Sequence, residues 1–377
     1  MARHLIRGGV LRRLTKIAAT SAVLALAFAG CSKQDDSSEG TDASASESTS
    51  ETADSGASVC ESADGDGPKV GLAYDVGGRG DQSFNDSAYA GLEKAVDEFD
   101  ATCFEGEAAD GEPESAREER LRGMADQGYN PIVGVGFAYS EAVNAVAPDY
   151  PDINFGVIDG FDPDDEANDN VAYLGFAENE GSYLVGAAAA LKTQTDHIGF
   201  VGGVNSDLIK KFEAGYVAGA KAVNKDIKVD ITYIEESDLA GFADPAGGKA
   251  AASAMYDKGA DIVYHASGGS GAGVFEAATE AGDGMWAIGV DSDQYLTAPA
   301  EQQPHILTSM LKRVDVATYD MIKSIVDGKP VVSYVTYDLA SDGVGYATSG
   351  GFVDDISGDL DGYADEIKGG LEVPVAP

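Results

Sequence analysis

Basic residues are scarce in this chain. Lysine and arginine number 25 against 65 aspartates and glutamates, giving a net charge of −40 over 377 residues. Nucleic acid and anionic lipid surfaces are both bound through basic footprints, so neither is expected as a direct partner. The excess charge reads first as a solvated acidic surface. Histidine is also scarce: beyond the N-terminal segment only His197, His265 and His305 occur, and none sits in a motif. No GxSxG, HExxH or CxxC pattern is present. The nucleophile–base pairs and metal clusters of hydrolytic sites therefore have no visible source, and no metal or cofactor is expected. Past residue 30 there is no transmembrane run, long repeat or heptad. Hydrophobic residues nonetheless make up 44%, enough for a sizeable core.

Residues 1–30 read as a targeting segment. Arg3, Arg7, Arg12, Arg13 and Lys16 form a basic start, and Ile17 to Phe28 is apolar but short for a membrane span. The run Leu26-Ala27-Phe28-Ala29-Gly30-Cys31 resembles a bacterial lipobox, which implies a lipid-modified Cys31, with Phe28 where leucine is usual. Arg12-Arg13 leaves a twin-arginine export route open. Residues 31–67 are rich in Ser, Asp, Glu, Thr, Ala and Gly, a composition that cannot offset its ordering entropy. A disordered acidic tether is expected there. Cys60 and Cys103 are the other two cysteines, and in an exported chain they are expected to form a disulfide.

The informative stretch is Lys69 to Ala95. Val70 to Tyr74 has the length and composition of a buried parallel strand. Asp75, a loop with Gly77, Gly78 and Gly80, and the string Asp81-Gln82-Ser83-Phe84-Asn85-Asp86 follow. From about Ser87 the spacing of Ala88, Leu92, Ala95, Val96 and Phe99 predicts a helix. Ligands of open parallel sheets bind outside the carboxyl ends of the strands. An aromatic ring among carboxylates and amides at that place suits a flat, polar, hydroxyl-bearing molecule.

Apolar runs recur at 131–136, 154–158, 172–176, 198–202, 229–234, 262–265 and 285–290, separated by helical patterns such as 180–192, 212–223 and 247–258. The alternation predicts an α/β fold with parallel sheets. Gly268-Gly269-Ser270-Gly271 lacks the Lys-Ser/Thr of a phosphate-binding loop, so it reads as a tight turn or as amides that meet hydroxyls.

Asp75 to Asn85 resembles the signature of the basic membrane protein family, also called Med or PnrA-like. Its members are lipoprotein substrate-binding components of ABC importers. Tyr150-Pro151-Asp152, Phe155 to Gly160, Phe212 to Tyr216, Phe242 to Pro245, Ala266 to Gly271, Gly289-Val290-Asp291 and Gly370 to Pro374 match the same family in the same order. The resemblance implies the type I periplasmic-binding-protein fold, two Rossmann-like lobes joined by a three-strand hinge. The N-terminal lobe is expected at 68–176 plus 313–333, the C-terminal lobe at 177–312 plus 334–377.

The resemblance also implies a nucleoside, purine favoured, in the cleft. Phe84 would stack on the base, with Asp75, Ser83, Asn85 and Asp159 as polar partners. Phe212 or Phe242 would cover the other face, and Phe137 and Phe176 flank strand ends nearby. Gly268, Asp291 and Lys312 would hold the ribose, the last two as a buried ion pair. On pattern alone Phe84 serves equally well as core, and Asp75 as a cap. Implied partners are an ABC permease and its ATPase, with the membrane reached only through the lipid anchor, at the extracytoplasmic face, by a monomer. A surface sensor or adhesin of the same fold remains an alternative, as does a nucleoside hydrolase, although the clustered aspartates that would hold its calcium are missing.

Overall fold

The computed structural model describes residues 57–163 and 168–376. The expected leader, Cys31 and the tether up to residue 56 lie outside the described residues.

Two six-stranded sheets form the frame. In chain order the strands are β1 (Lys69–Tyr74), β2 (Thr102–Glu107), β3 (Ile132–Val135), β4 (Phe155–Ile158), β5 (Val171–Phe176), β6 (His197–Val204), β7 (Lys228–Glu235), β8 (Ile262–Ala266), β9 (Trp286–Asp291), β10 (Ile306–Lys312), β11 (Ser333–Tyr337) and β12 (Val344–Tyr346). The helices are α1 (Phe84–Phe99), α2 (Glu114–Asp126), α3 (Ser140–Val146), α4 (Glu178–Lys192), α5 (Asp207–Val223), α6 (Pro245–Asp257), α7 (Gly271–Ala281), α8 (Val314–Val326) and α9 (Ser357–Lys368). The first sheet runs β11-β5-β4-β3-β1-β2 and the second β12-β10-β9-β8-β6-β7. Among the described residues, all pairings are parallel except β10 with β12. Both sheets therefore repeat one strand order without a repeat in sequence, differing only in the direction of the outermost strand, β11 or β12, and β4 and β9 hold equivalent places. Each has its switch point beside its first strand, β1 or β6, where a crevice opens at the carboxyl ends.

The central strands β3, β4, β6 and β8 are buried along their whole length, as parallel strands covered by helices on both faces must be. Local signals set the helix starts. Ser206 caps α5 by accepting from the Ile209 amide, and Asp244 caps α6 from the Gly247 amide with Pro245 behind it. Helix α1 begins at Phe84, three residues before the predicted start near Ser87. The reason is Asp81, whose carboxylate accepts from the amides of Ser83, Asn85 and Asp86 and so satisfies the helix's first donors.

The chain crosses between sheets three times, after β5, after β10 and after β11. Two of these segments are stitched directly: the Ala177 amide donates to the Tyr337 carbonyl at 2.9 Å. Strand pairing puts the whole of β11 in the first sheet, so the expected division at 333/334 falls inside that strand, and the chain leaves the first sheet only after Tyr337. The expected tether also ends earlier than 67. Residues 59–61 form a helical turn, and Cys60 is disulfide-bonded to Cys103 in β2 with a Cα separation of 5.0 Å.

Candidate functional site

A cavity lies where the carboxyl ends of the two sheets face each other. Its walls are built almost entirely from strand ends and the helix starts that follow them. Asp75 follows β1, Phe84 and Asn85 open α1, Phe137 follows β3 and Asp159 follows β4. From the second sheet come Gly268 after β8, Asp291 at the end of β9 and Lys312 at the end of β10. Phe212 projects from α5, and Phe242 ends the short turn 239–242. Ser83 and Phe176 are the two sequence-expected residues that do not line the cavity. Phe176 stands behind it, stacked on Tyr337 at 5.3 Å. The Ser83 hydroxyl is turned to the second sheet, where it donates to Asp291 Oδ2 at 2.5 Å.

Lys312 is the cationic centre, buried to 2% exposure. Its ammonium donates to Asp159 Oδ2 at 2.6 Å and stands 3.6 Å from Glu178 Oε1. The rings of Phe84, Phe176 and Phe212 surround it at 5.0–5.3 Å, a cation–π arrangement. Burial alone depresses an ammonium pKa, but Asp159, Glu178 and Asp291 outweigh it here and the net direction is upward. The expected direct pair between Lys312 and Asp291 is not formed. Asp159 takes the contact because Asp291 is committed to the Ser83 hydroxyl. Asp159 and Asp291, the two carboxylates at the equivalent strand ends, both adopt left-handed backbone, with φ of 59° and 63°. Such conformations are tolerated best by Asp and Asn among non-glycine residues and cluster at functional sites.

The remaining carboxylates are poorly solvated. Burial pushes Asp75 up to about 6, against the Val76 amide and the Arg117 guanidinium 3.8 Å away. Burial, with Asp86 adding to it, pushes Asp81 up to about 7. Burial raises Asp291 to about 6, opposed by Lys312 and Ser83. Gly136 makes room for Asp75: its φ is 111°, and a Cβ there would lie 2.3 Å from Asp75 Oδ2.

Acceptors dominate the polar wall. Asn85 must turn its amide nitrogen to Asp81 Oδ2, 3.2 Å away, so its Oδ1 is left as an acceptor. That atom and Asp159 Oδ1 are buried without a hydrogen-bond partner among the described residues, a condition that costs free energy unless a ligand supplies donors. Asp81 was absent from the expected site although it lies within the quoted motif. It was read as part of the glycine-rich loop, whereas it serves as both cap and wall. Leu208 and Ile209, an apolar wall in the first turn of α5, were missed because the helical pattern was read only from Phe212.

Among the described residues, no histidine lines the cavity. His197 contacts Asp230, His305 contacts the Met285 carbonyl and His265 is buried within β8. Among the described residues no cluster of three or more His, Cys, Asp or Glu could hold a metal. No helix of the described residues is long and apolar enough to cross a membrane.

Residues 69–366 match the family described as ABC transporter substrate-binding protein PnrA-like. The ABC transporter nucleoside-binding protein BmpA of Lactococcus lactis subsp. cremoris is 38% identical over 294 residues, covering 73% of this chain and 80% of that protein. The CD4+ T-cell-stimulating antigen of Listeria monocytogenes is 35% identical over 330 residues, covering 82% of this chain and 88% of the relative. A solved ABC transporter solute-binding protein from Aeropyrum pernix K1 superposes with a TM-score of 0.67 at 29% identity, covering 80% of this chain and 86% of that one. The Lactococcus and Aeropyrum proteins are both named as binding proteins of ABC transporters. The chain belongs to the PnrA-like family of ABC transporter substrate-binding proteins.

Proposed function

We propose that this protein captures a nucleoside, with purines preferred, in the cavity between its sheets and delivers it to an ABC permease and its ATPase. The observation that carries the reading is a wall of buried acceptors set among phenylalanine rings. Asn85 Oδ1 and Asp159 Oδ1 lack donors, and Phe84, Phe137, Phe212 and Phe242 line the same space. A nucleobase offers a π-face to such rings, worth roughly 1–3 kcal/mol per stacked base, and N–H groups to the acceptors. In this reading Phe84 stacks on one face of the base and Phe212 or Phe242 covers the other. Asp75, Asn85 and Asp159 receive donors, while Gly268, Asp291 and Lys312 hold the ribose hydroxyls. The name of the Lactococcus relative supports the same ligand class.

Capture proceeds by hinge closure. Ligand bridges the two lobes and stabilises a closed state through contacts that the open state lacks. The protein acts as a monomer on the extracytoplasmic face, anchored through lipid on Cys31, and it performs no chemistry on what it binds. The test is a thermal-shift panel on the protein with purine and pyrimidine nucleosides, free bases, pentoses, hexoses and amino acids. A ligand at a hundred times its dissociation constant stabilises by roughly 2.7 kcal/mol. Stabilisation by intact nucleosides alone is the expected result. A response only to sugars or amino acids would discard the stacking assignment while leaving the receptor role.

A further inference from the structure

The loop before α1 and the segment after β9 touch through side chains that do not line the cavity. Gln294 Nε2 donates to the Gln82 carbonyl at 3.1 Å, and the Ser292 hydroxyl donates to the Ser83 carbonyl at 3.2 Å. Gln82 and Ser83 belong to the first lobe, Ser292 and Gln294 to the second. Gln294 is buried to 2% exposure, and its Oε1 accepts from the Val290 amide at 2.8 Å. The same Oε1 lies 3.1 Å from His265 Nε2.

Hydrogen-bond accounting fixes the direction of this chain. Gln294 gives its amide nitrogen to the Gln82 carbonyl, so its oxygen is an acceptor. His265 must then carry its proton on Nε2, which leaves Nδ1 to accept from the Ser267 hydroxyl 3.3 Å away. Ser267 lines the cavity. The order is therefore Ser267 hydroxyl, His265 ring, Gln294 amide, Gln82 carbonyl, running from the cavity wall into the opposite lobe. His265 is fully buried, and burial lowers its pKa to about 4, which keeps the ring neutral as the chain requires. It has no room to turn: a Cβ on Gly271 would lie 1.9 Å from its Cε1, and Phe275 meets the ring edge-on at 5.2 Å.

We infer that Gln294 is a latch between the lobes, that His265 is the positioning residue that aims it, and that together they set how much of the ligand-free protein is closed. The latch touches no ligand. It acts on the fraction of binding-competent protein, and apparent affinity scales with that fraction whatever the ligand. Its loss therefore weakens every ligand by one common factor. A lost contact in the cavity weakens ligands unequally.

The experiment uses the full chain with fluorophores on non-canonical residues at the exposed positions 127 and 258, one on each lobe. Gln294→Glu keeps the shape and the acceptor toward His265 and Val290 but removes the donor to Gln82. Ser292→Ala removes the parallel bond from a half-buried position where misfolding is not a concern. For ligand-free protein, the expected result is a longer inter-lobe distance in both variants, larger for Gln294→Glu. Dissociation constants for all nucleosides bound by the parent should rise by the same factor, roughly three- to tenfold for Gln294→Glu. An unchanged distance in both variants would overturn the inference. So would a loss confined to one ligand, which would make Gln294 a ligand contact. The affinity arm rests on the nucleoside reading, whereas the distance arm needs no ligand. Failure to bind nucleosides with a lengthened distance would refute that reading and keep the latch.

Discussion

Lys312 and Asp159 meet at 2.6 Å although they end strands of different sheets, β10 and β4. Both side chains are at most 3% exposed, so water contributes little to holding either charge. Coulomb attraction in such a place is strong, but so is the cost of taking both ions from water. The three phenylalanine rings around the ammonium recover part of that cost. The pair works less as a source of stability than as a fixed charge at the junction where ligand, hinge and both sheets come together.

Removing the cation should therefore be costly. Lys312→Met strands Asp159 in a buried site and leaves Glu178 with Lys211, 3.3 Å away, and breaking such a buried pair costs about 3–5 kcal/mol. Urea denaturation at neutral pH should show a loss of that order, and Lys312→Met with Asp159→Asn should recover part of it. A loss below about 1 kcal/mol for the single variant would mean the group is far better solvated than its surroundings indicate.

Stability should fall as pH rises through the range in which the buried aspartates ionise. Asp75, Asp81 and Asp291 have folded values near 6, 7 and 6 against an ordinary 3.8. Between those limits the folded protein holds more protons than the unfolded chain, so deprotonation favours unfolding. Ligand-free protein should melt at a higher temperature near pH 5 than near pH 8 by this contribution. Asp291→Asn, which keeps an acceptor for Ser83, should flatten the slope. An equal slope in parent and variant would remove Asp291 from the set.

Asp291→Ala should also separate sugar from base. If the carboxylate holds ribose hydroxyls, the variant loses more affinity for ribosides than for free bases, by tenfold or so for a charge-assisted contact. Calorimetry on guanosine and guanine checks this directly. Equal losses for both would contradict the ribose assignment, and the Ser83 bond would then be the main role of Asp291.

Much of the frame was legible because parallel strands buried on both faces leave continuous apolar runs, as at β3, β4, β6 and β8. The strands that escaped lack that signature. β2 and β11 are edge strands with exposed polar positions. β10 is interrupted by Thr308 and Ser309, which are buried but satisfied: the Thr308 hydroxyl donates to the Ala347 carbonyl, and the Ser309 hydroxyl accepts from the Gln294 backbone N–H. Within the site, residue types at strand ends could be read from the chain, but partners could not. Lys312 needs a carboxylate, yet which one depends on how the sheets face each other. Ser83 engages Asp291 over 208 positions of sequence. No local pattern reports such a contact, and the same holds for the Gln294 chain.

The most direct test of the account is calorimetric titration of the parent protein and of Phe84→Ala with guanosine, inosine, adenosine, ribose and the free bases. Intact purine nucleosides should bind and ribose should not, and Phe84→Ala should weaken nucleosides at least tenfold, as loss of a stacked ring requires, in a protein that still folds cooperatively. Binding restricted to sugars or amino acids, or nucleoside affinity untouched by Phe84→Ala, would contradict it.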